Sequence, residues 1–134
     1  MEIPLAERLK AAVRIGTDAV FAGTQELVPV GRTGDLKDSG DTNVDWDRPN
    51  QRVVGSIVYR ASYAAFVEFG TGLRGIGTYP YNLPETGTPF TGAWVYDFRG
   101  QGWIGHPSQP YMRPPLDSKR DEIMGGFAAQ GFRV

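Results

Sequence analysis

The segment YAAFVEFGTG, Tyr63 to Gly72, sets one acid, Glu68, among Phe66, Val67 and Phe69 and directly ahead of a glycine-rich turn. An acid in such company has three roles open to it: a catalytic carboxyl with raised proton affinity, one half of a buried ion pair, or a solvated side chain on a half-buried segment. Together with Glu85 and Asp97 it could supply the paired carboxylates of glycoside hydrolysis, and Tyr79, Tyr81, Trp94 and Tyr96 could stack on sugars. No spacing in the chain demands that chemistry, so a small carboxylate-dependent hydrolase stands as an alternative reading.

Other patterns are weaker. GTGLRG, Gly70 to Gly75, matches the dinucleotide fingerprint G-x-G-x-x-G, but the following IGTYPYNLPETG cannot form the helix whose N-terminus would meet a pyrophosphate. It reads as a turn. Asp41, Asn43 and Asp45 match the start of a calcium loop, yet Trp46 stands where the sharp-turn glycine belongs and Arg52 where the bidentate glutamate belongs. His106 is the single histidine, and without a G-x-S-x-G elbow a triad through Ser108 has little behind it. The sequence therefore leads us to expect no catalytic, metal or cofactor site.

Composition narrows the classes further. A chain of 134 residues with a 40% hydrophobic and 22% charged content fits one folded domain, and its 18 glycines and 10 prolines mark much loop. The net charge of -1 with dispersed lysines and arginines gives no basic block for direct nucleic-acid binding. The absence of cysteine excludes disulfide staples and thiolate metal sites. Neither a signal peptide nor a membrane span is expected from the apolar patterning.

The elements that must position these residues follow from periodicity. Leu5, Leu9, Ala12, Val13, Ala19, Val20 and Leu27 recur at three- and four-residue steps, predicting a helix from Pro4 to Glu26 that Val28-Pro29-Val30 ends. Gly16 and Gly23 lie on its apolar face, which suggests close packing against another element. Asp41 to Asp47 alternates, with Asp41, Asn43, Asp45 and Asp47 on one face and Thr42, Val44 and Trp46 on the other. Arg52 to Ala61 is a second, β-branched strand, so the two form a hairpin about Arg48-Pro49-Asn50. Tyr63 to Phe69 reads as a helical turn. The stretch 70–105 then holds nine glycines, a long excursion of the kind that usually carries function. Within it AWVYDF alternates Trp94, Tyr96 and Phe98, and RGQG can turn it back toward Trp103-Ile104. Pro114 and Pro115 open a C-terminal helix with Leu116, Ile123, Met124 and Phe127 on one face and Gly125-Gly126 weakening its end. The excursion's tyrosines and tryptophans suit contact with a neighbour, because they bury large area and keep a polar handle.

Three pieces in series, VPVGRTGDLKDSG (28–40), YAAFVEFGTG (63–72) and HPSQPYMRPPLDSKRDEI (106–123), resemble the tail-completion or head-tail joining proteins of long-tailed bacteriophages, also described as minor tail or minor capsid proteins. The resemblance implies an α+β fold, a small twisted antiparallel sheet packed against an N-terminal and a C-terminal helix, with residues 72–106 as a loop or hairpin excursion. Its marker positions here are Thr33, Gly34, Leu36 and Ser39; Tyr63, Ala64, Val67, Glu68, Gly70 and Thr71; and Pro110, Arg113 and Pro114. These are structural markers and need not be interface residues. The chain departs from the pattern at Gly40, where an aliphatic residue is more usual.

The resemblance further implies a virion structural protein of the neck or tail top, assembled in the host cytoplasm. It would form a ring, expected to be a hexamer, between the tail tube and head-connector proteins, with DNA passing through the lumen without sequence recognition. Head closure or a minor capsid role is the alternative within assembly. Trp94, Tyr96 and Trp103 join the markers as expected contact residues, within an interface spanning Leu73 to Trp103. Glu68 is expected to hold a basic partner, Arg113 first and Arg60 second, tying the helical turn to the C-terminal helix. The acidic strand face is expected outward or toward a basic partner.

Overall fold

Pro4 is the last non-helical residue before helix α1, Leu5–Leu27, and Val28 ends it in extended conformation, its N–H donating to the Thr24 carbonyl. The computed structural model describes residues 4–30, 34–70, 78–81, 97–98, 101–102 and 107–133. Helix α2, Asp35–Asp38, follows Gly34, whose φ of 69° suits a residue without a Cβ. Strands β1, Gly40–Asp47, and β2, Arg52–Tyr59, pair antiparallel in one unbroken register from Gly40 with Tyr59 to Asp47 with Arg52. Helix α3, Ala64–Phe69, leads to Gly70, and a small second pairing joins β3, Asp97–Phe98, to β4, Gln101–Gly102. Helices α4, Arg113–Ser118, and α5, Arg120–Ala129, complete an α+β fold.

Along α1 the fully covered positions are Ala12, Gly16, Val20, Gly23 and Thr24, a stripe of small residues, while Leu5 and Leu27 at its ends are exposed. Close helix crossing explains the choice. A Cβ on Gly23 would lie 2.8 Å from the Pro115 Cβ, one on Gly16 3.3 Å from Ile123 Cγ1, and one on Gly126 2.9 Å from the Ala12 carbonyl oxygen. The C-terminal segment thus runs antiparallel along α1, with Pro115, Ile123 and Gly126 as its contact residues. Packing at both Gly16 and Gly23 agrees with the expectation from the sequence.

The C-terminal region corrects two expectations. It is bent at Lys119, which leaves helical geometry (ψ 17°) although the hydrogen bonds from Lys119 to Pro115 and from Ile123 to Lys119 continue across the bend. Leu116 and Met124 are exposed, because the contact stripe passes through Pro115, Ile123 and Gly126 instead. Gly125-Gly126 does not end the helix: α5 runs through both and closes at Gly131, φ 84°, where the Gly131 N–H donates to Ala128 and the Phe132 N–H to Phe127. This is a Schellman closure, sealed by the Phe127 and Phe132 rings 6.0 Å apart. Arg8 of α1 reinforces it, donating from Nε and Nη2 to the Gln130 carbonyl and lying 4.7 Å over the Phe132 ring.

Helix α1 packs over both strands. Gly40 begins β1 because a Cβ there would stand 2.8 Å from Tyr59, 2.9 Å from Gln25 and 2.9 Å from Phe21. An aliphatic side chain at this position would collide with all three. In its absence the Tyr59 hydroxyl reaches Thr24 Oγ1 at 2.7 Å and accepts from Gln25 Nε2 at 2.8 Å, joining the end of β2 to the end of α1. The Tyr59 ring meets Tyr111 edge-on at 5.0 Å. Around that contact lies the core of Val28, Leu36 and Tyr111, flanked by Ala61, Ala64, Val67 and Met112.

Candidate functional site

Glu68 is 5% exposed, and its carboxylate oxygens accept four hydrogen bonds. Its Oε2 accepts the backbone N–H of Tyr111 at 2.7 Å and of Met112 at 3.0 Å. Its Oε1 accepts the N–H of Arg113 and the hydroxyl of Tyr79, each at 3.3 Å. The local sequence explains the fit. Arg113 is the first residue of α4 and its N–H would lack an intrahelical partner, while the next two positions, Pro114 and Pro115, have no N–H to satisfy. One carboxylate on α3 therefore completes the whole N-terminal start of α4, and the negative charge lies where the amide dipoles converge.

Further bonds fix the same contact. The Gln109 N–H donates to the Val67 carbonyl at 2.8 Å, the Tyr111 hydroxyl to the Ala64 carbonyl at 3.1 Å, and the Ser108 N–H to Thr78 Oγ1 at 2.8 Å. Gly70, buried with φ of 86°, lets the chain leave α3 beside this clasp. Rings meet edge-on alongside: Phe69 and Tyr79 at 4.7 Å, Tyr79 and Tyr81 at 5.5 Å. Burial, then the Glu68 charge, then its hydrogen bond push the Tyr79 hydroxyl up to about 12. Burial and then the Glu68 and Tyr59 charges push Tyr111 up as well.

The expected basic partner of Glu68 is not found. Arg113 Nε instead lies 3.5 Å from Asp117 and its guanidinium 5.7 Å over the Tyr81 ring, while Arg60 Nη1 pairs with Asp41 at 3.2 Å. Among the described residues no cation comes within ion-pair distance of Glu68. Backbone N–H groups take that role, because three of them converge at lower desolvation cost than a buried guanidinium would require. The expected tie between the helical turn and the C-terminal helix does form, through the backbone of Tyr111 to Arg113.

Of the remaining marker positions, Leu36 is buried, Val67 and Pro110 are half-buried, and Tyr63 is exposed. Pro114 stands in the first turn of α4. Thr33, Thr71, Trp94, Tyr96 and Trp103 lie outside the described residues, as do Glu85 and His106. Tyr111 and Tyr59 escaped the sequence reading, while Tyr79 entered it only as an aromatic contact residue and Pro115 only as a helix opener. The proline-flanked PYMRPP run was the available signal for two of them, since a chain lacking N–H groups on both sides concentrates its donors between.

The acidic face of β1 is exposed at Asp41, Asn43 and Asp45 and is partly neutralised by its own hairpin. The Thr42 N–H and then Arg60 hold the Asp41 carboxyl below the usual range, and the Asn50 amide and then Arg52 do the same for Asp47. Among the described residues no group of three or more His, Asp or Glu side chains could hold a metal ion, and no helix is long and apolar enough to cross a membrane. A cavity of about 350 Å³ adjoins Glu68 between Phe69, Tyr79, Tyr111 and Leu116. Glu68 meets it with both oxygens already occupied, so the site clasps the fold together and offers a substrate no free carboxylate oxygen.

No curated protein and no solved structure matches the chain. A family of phage proteins does match, over residues 2–70, which take in α1, α2, the β1–β2 hairpin and α3 through Gly70. That span contains Glu68 but not the Tyr111 to Arg113 backbone that Glu68 holds. With more than half of its residues inside the match, the chain belongs to the HK97-gp10-like family, the bacteriophage HK97-gp10 tail component.

Proposed function

We propose that the chain is a tail-completion or neck component that forms a ring, of about six copies by the tail's symmetry, joining the tail tube to the head connector. Membership in a phage tail-component family supports a structural role in the virion. The observation that carries the finer reading is the Glu68 clasp. It holds Thr78, Tyr79 and the 107–113 segment against α3, so both flanks of the 82–106 stretch are anchored at one place on the scaffold. A long segment held at its base and rich in Tyr and Trp is suited to contact neighbouring subunits. In this reading Trp94, Tyr96 and Trp103 belong to the subunit interface, DNA passes through the lumen without base recognition, and the protein takes its place at the tail top during assembly in the host cytoplasm. The chain has no enzymatic role here, which accords with the fully engaged oxygens of Glu68.

Native mass measured across a concentration series, with electron microscopy of any large species, tests the ring. A closed assembly of about six copies is expected. A chain that stays monomeric at all concentrations and also fails to bind isolated tail ends would overturn the proposal.

A further inference from the structure

Glu68 holds two stretches of chain that lie far apart in sequence, and it does so in part with one atom. Its Oε1 accepts both the Tyr79 hydroxyl and the Arg113 N–H, while Oε2 takes the Tyr111 and Met112 N–H groups. The two stretches also touch each other directly. The Ser108 N–H donates to Thr78 Oγ1 at 2.8 Å, and the Arg113 guanidinium lies 5.7 Å over the Tyr81 ring. Tyr79 is 7% exposed, its ring set against Phe69 and Tyr81, and with Glu68 it forms part of the wall of the cavity of about 350 Å³.

The position of Tyr79 therefore bears on every bond that Glu68 makes. With the Tyr79 hydroxyl withdrawn, Oε1 loses a donor and water from the cavity can replace it. A hydrated carboxylate is a poorer acceptor for the Tyr111 to Arg113 amides, because water competes for the same lone pairs. Past Arg113 the arm is fastened to α1 by separate contacts: Pro115 at Gly23, Ile123 at Gly16, Gly126 at the Ala12 carbonyl, and Arg8 on the Gln130 carbonyl. Loosening the Glu68 contact thus frees the start of the arm and leaves the rest of α4 and α5 seated, as a local opening requires.

We propose that residues 78–81 are a strap over Glu68, a conformational device in which the seating of Thr78 and Tyr79 sets how tightly the carboxylate holds the backbone of Tyr111 to Arg113. Strap and arm close together and open together. The coupling is reciprocal by linkage: a partner that keeps Tyr79 and Tyr81 seated tightens the start of α4, and one that draws them away releases it. The inference concerns a single chain and stands whether or not copies of the chain close a ring.

Amide hydrogen exchange of the full chain, read residue by residue, tests this. Thr78→Val removes the acceptor of the Ser108 N–H, and Tyr79→Phe removes one hydroxyl; neither side chain bonds to the Tyr111, Met112 or Arg113 amides. Each variant should nonetheless speed those amides by a common factor of about five to ten. The Val28 N–H at the end of α1 and the Ile123 N–H of α5, bonded to Thr24 and Lys119, should exchange as in the parent. Thr78→Ser, which keeps the hydroxyl, should leave all of them unchanged. If Thr78→Val speeds Ser108 alone, the two stretches are held separately and the proposal fails. It fails equally if Val28 and Ile123 speed by the same factor as Tyr111 to Arg113, because the strap then opens only with the whole fold.

Discussion

Replacing Glu68 by alanine removes a single side chain but leaves four donors without their acceptor: the N–H groups of Tyr111, Met112 and Arg113 and the Tyr79 hydroxyl. An orphaned buried donor costs about 1–3 kcal/mol, and one-sided loss of a buried charged contact about 3–5 kcal/mol. Two effects reduce the sum. The carboxylate's own desolvation is relieved, and water can enter from the adjoining cavity of about 350 Å³. A net loss of about 3 kcal/mol follows, a large part of the 5–15 kcal/mol that holds a typical domain folded. For a chain of this length that corresponds to a fall in Tm of roughly 10 °C. Glu68→Gln keeps the volume and one acceptor oxygen but turns an NH2 group toward other donors, so about 1–2 kcal/mol is expected. Thermal unfolding followed by circular dichroism, with hydrogen exchange at Tyr111 to Arg113, reads both. If Glu68→Ala melts within about 2 °C of the parent, by the same scaling, and those amides stay protected, the clasp has been misjudged.

Two glycine-to-alanine changes in helices should have opposite signs in urea unfolding. Gly23→Ala should destabilise by about 1–3 kcal/mol because its Cβ meets Pro115 at 2.8 Å, whereas Gly125→Ala, with nothing within 4 Å, should stabilise by about 0.5–1 kcal/mol. Tyr59→Phe deprives Thr24 and Gln25 of a shared partner and should cost about 1–2 kcal/mol by the same assay. Alkaline stability carries a sign fixed by Tyr79. Its hydroxyl keeps its proton in the folded chain up to about 12 but loses it near 10 when unfolded, so the folded state binds more protons in that window. The urea midpoint should therefore fall from pH 10 to pH 12, and Tyr79→Phe should flatten that fall.

The parts of the fold legible in the sequence were those set by local period and chain chemistry. The 3.6-residue pattern from Leu5, the strict alternation from Asp41 to Asp47 and the β-branched run from Arg52 gave the long helix and the hairpin within a residue or two. Gly16 and Gly23 disclosed a close crossing because a glycine inside a helix has a propensity cost that packing must offset. The apolar face of the C-terminal helix was misread, since periodicity cannot anticipate the bend at Lys119 that turns Leu116 and Met124 outward. The Glu68 site was half legible. Its isolation among apolar residues left a buried role open beside a solvated one, but a sequence pairs charges by residue type and is blind to backbone N–H groups, which every residue but proline carries. The two prolines at 114 and 115 held the missing information, as they left the Tyr111 to Arg113 amides as the donors in need of an acceptor.

The central claim, a component of the tail top, is most directly tested by locating the chain in assembled virions that carry an epitope-tagged copy, using gold-labelled antibody and electron microscopy. Label confined to the junction of head and tail, in virions that remain infectious, is the expected result. Label along the tail shaft, at its distal tip or over the capsid shell would contradict the account.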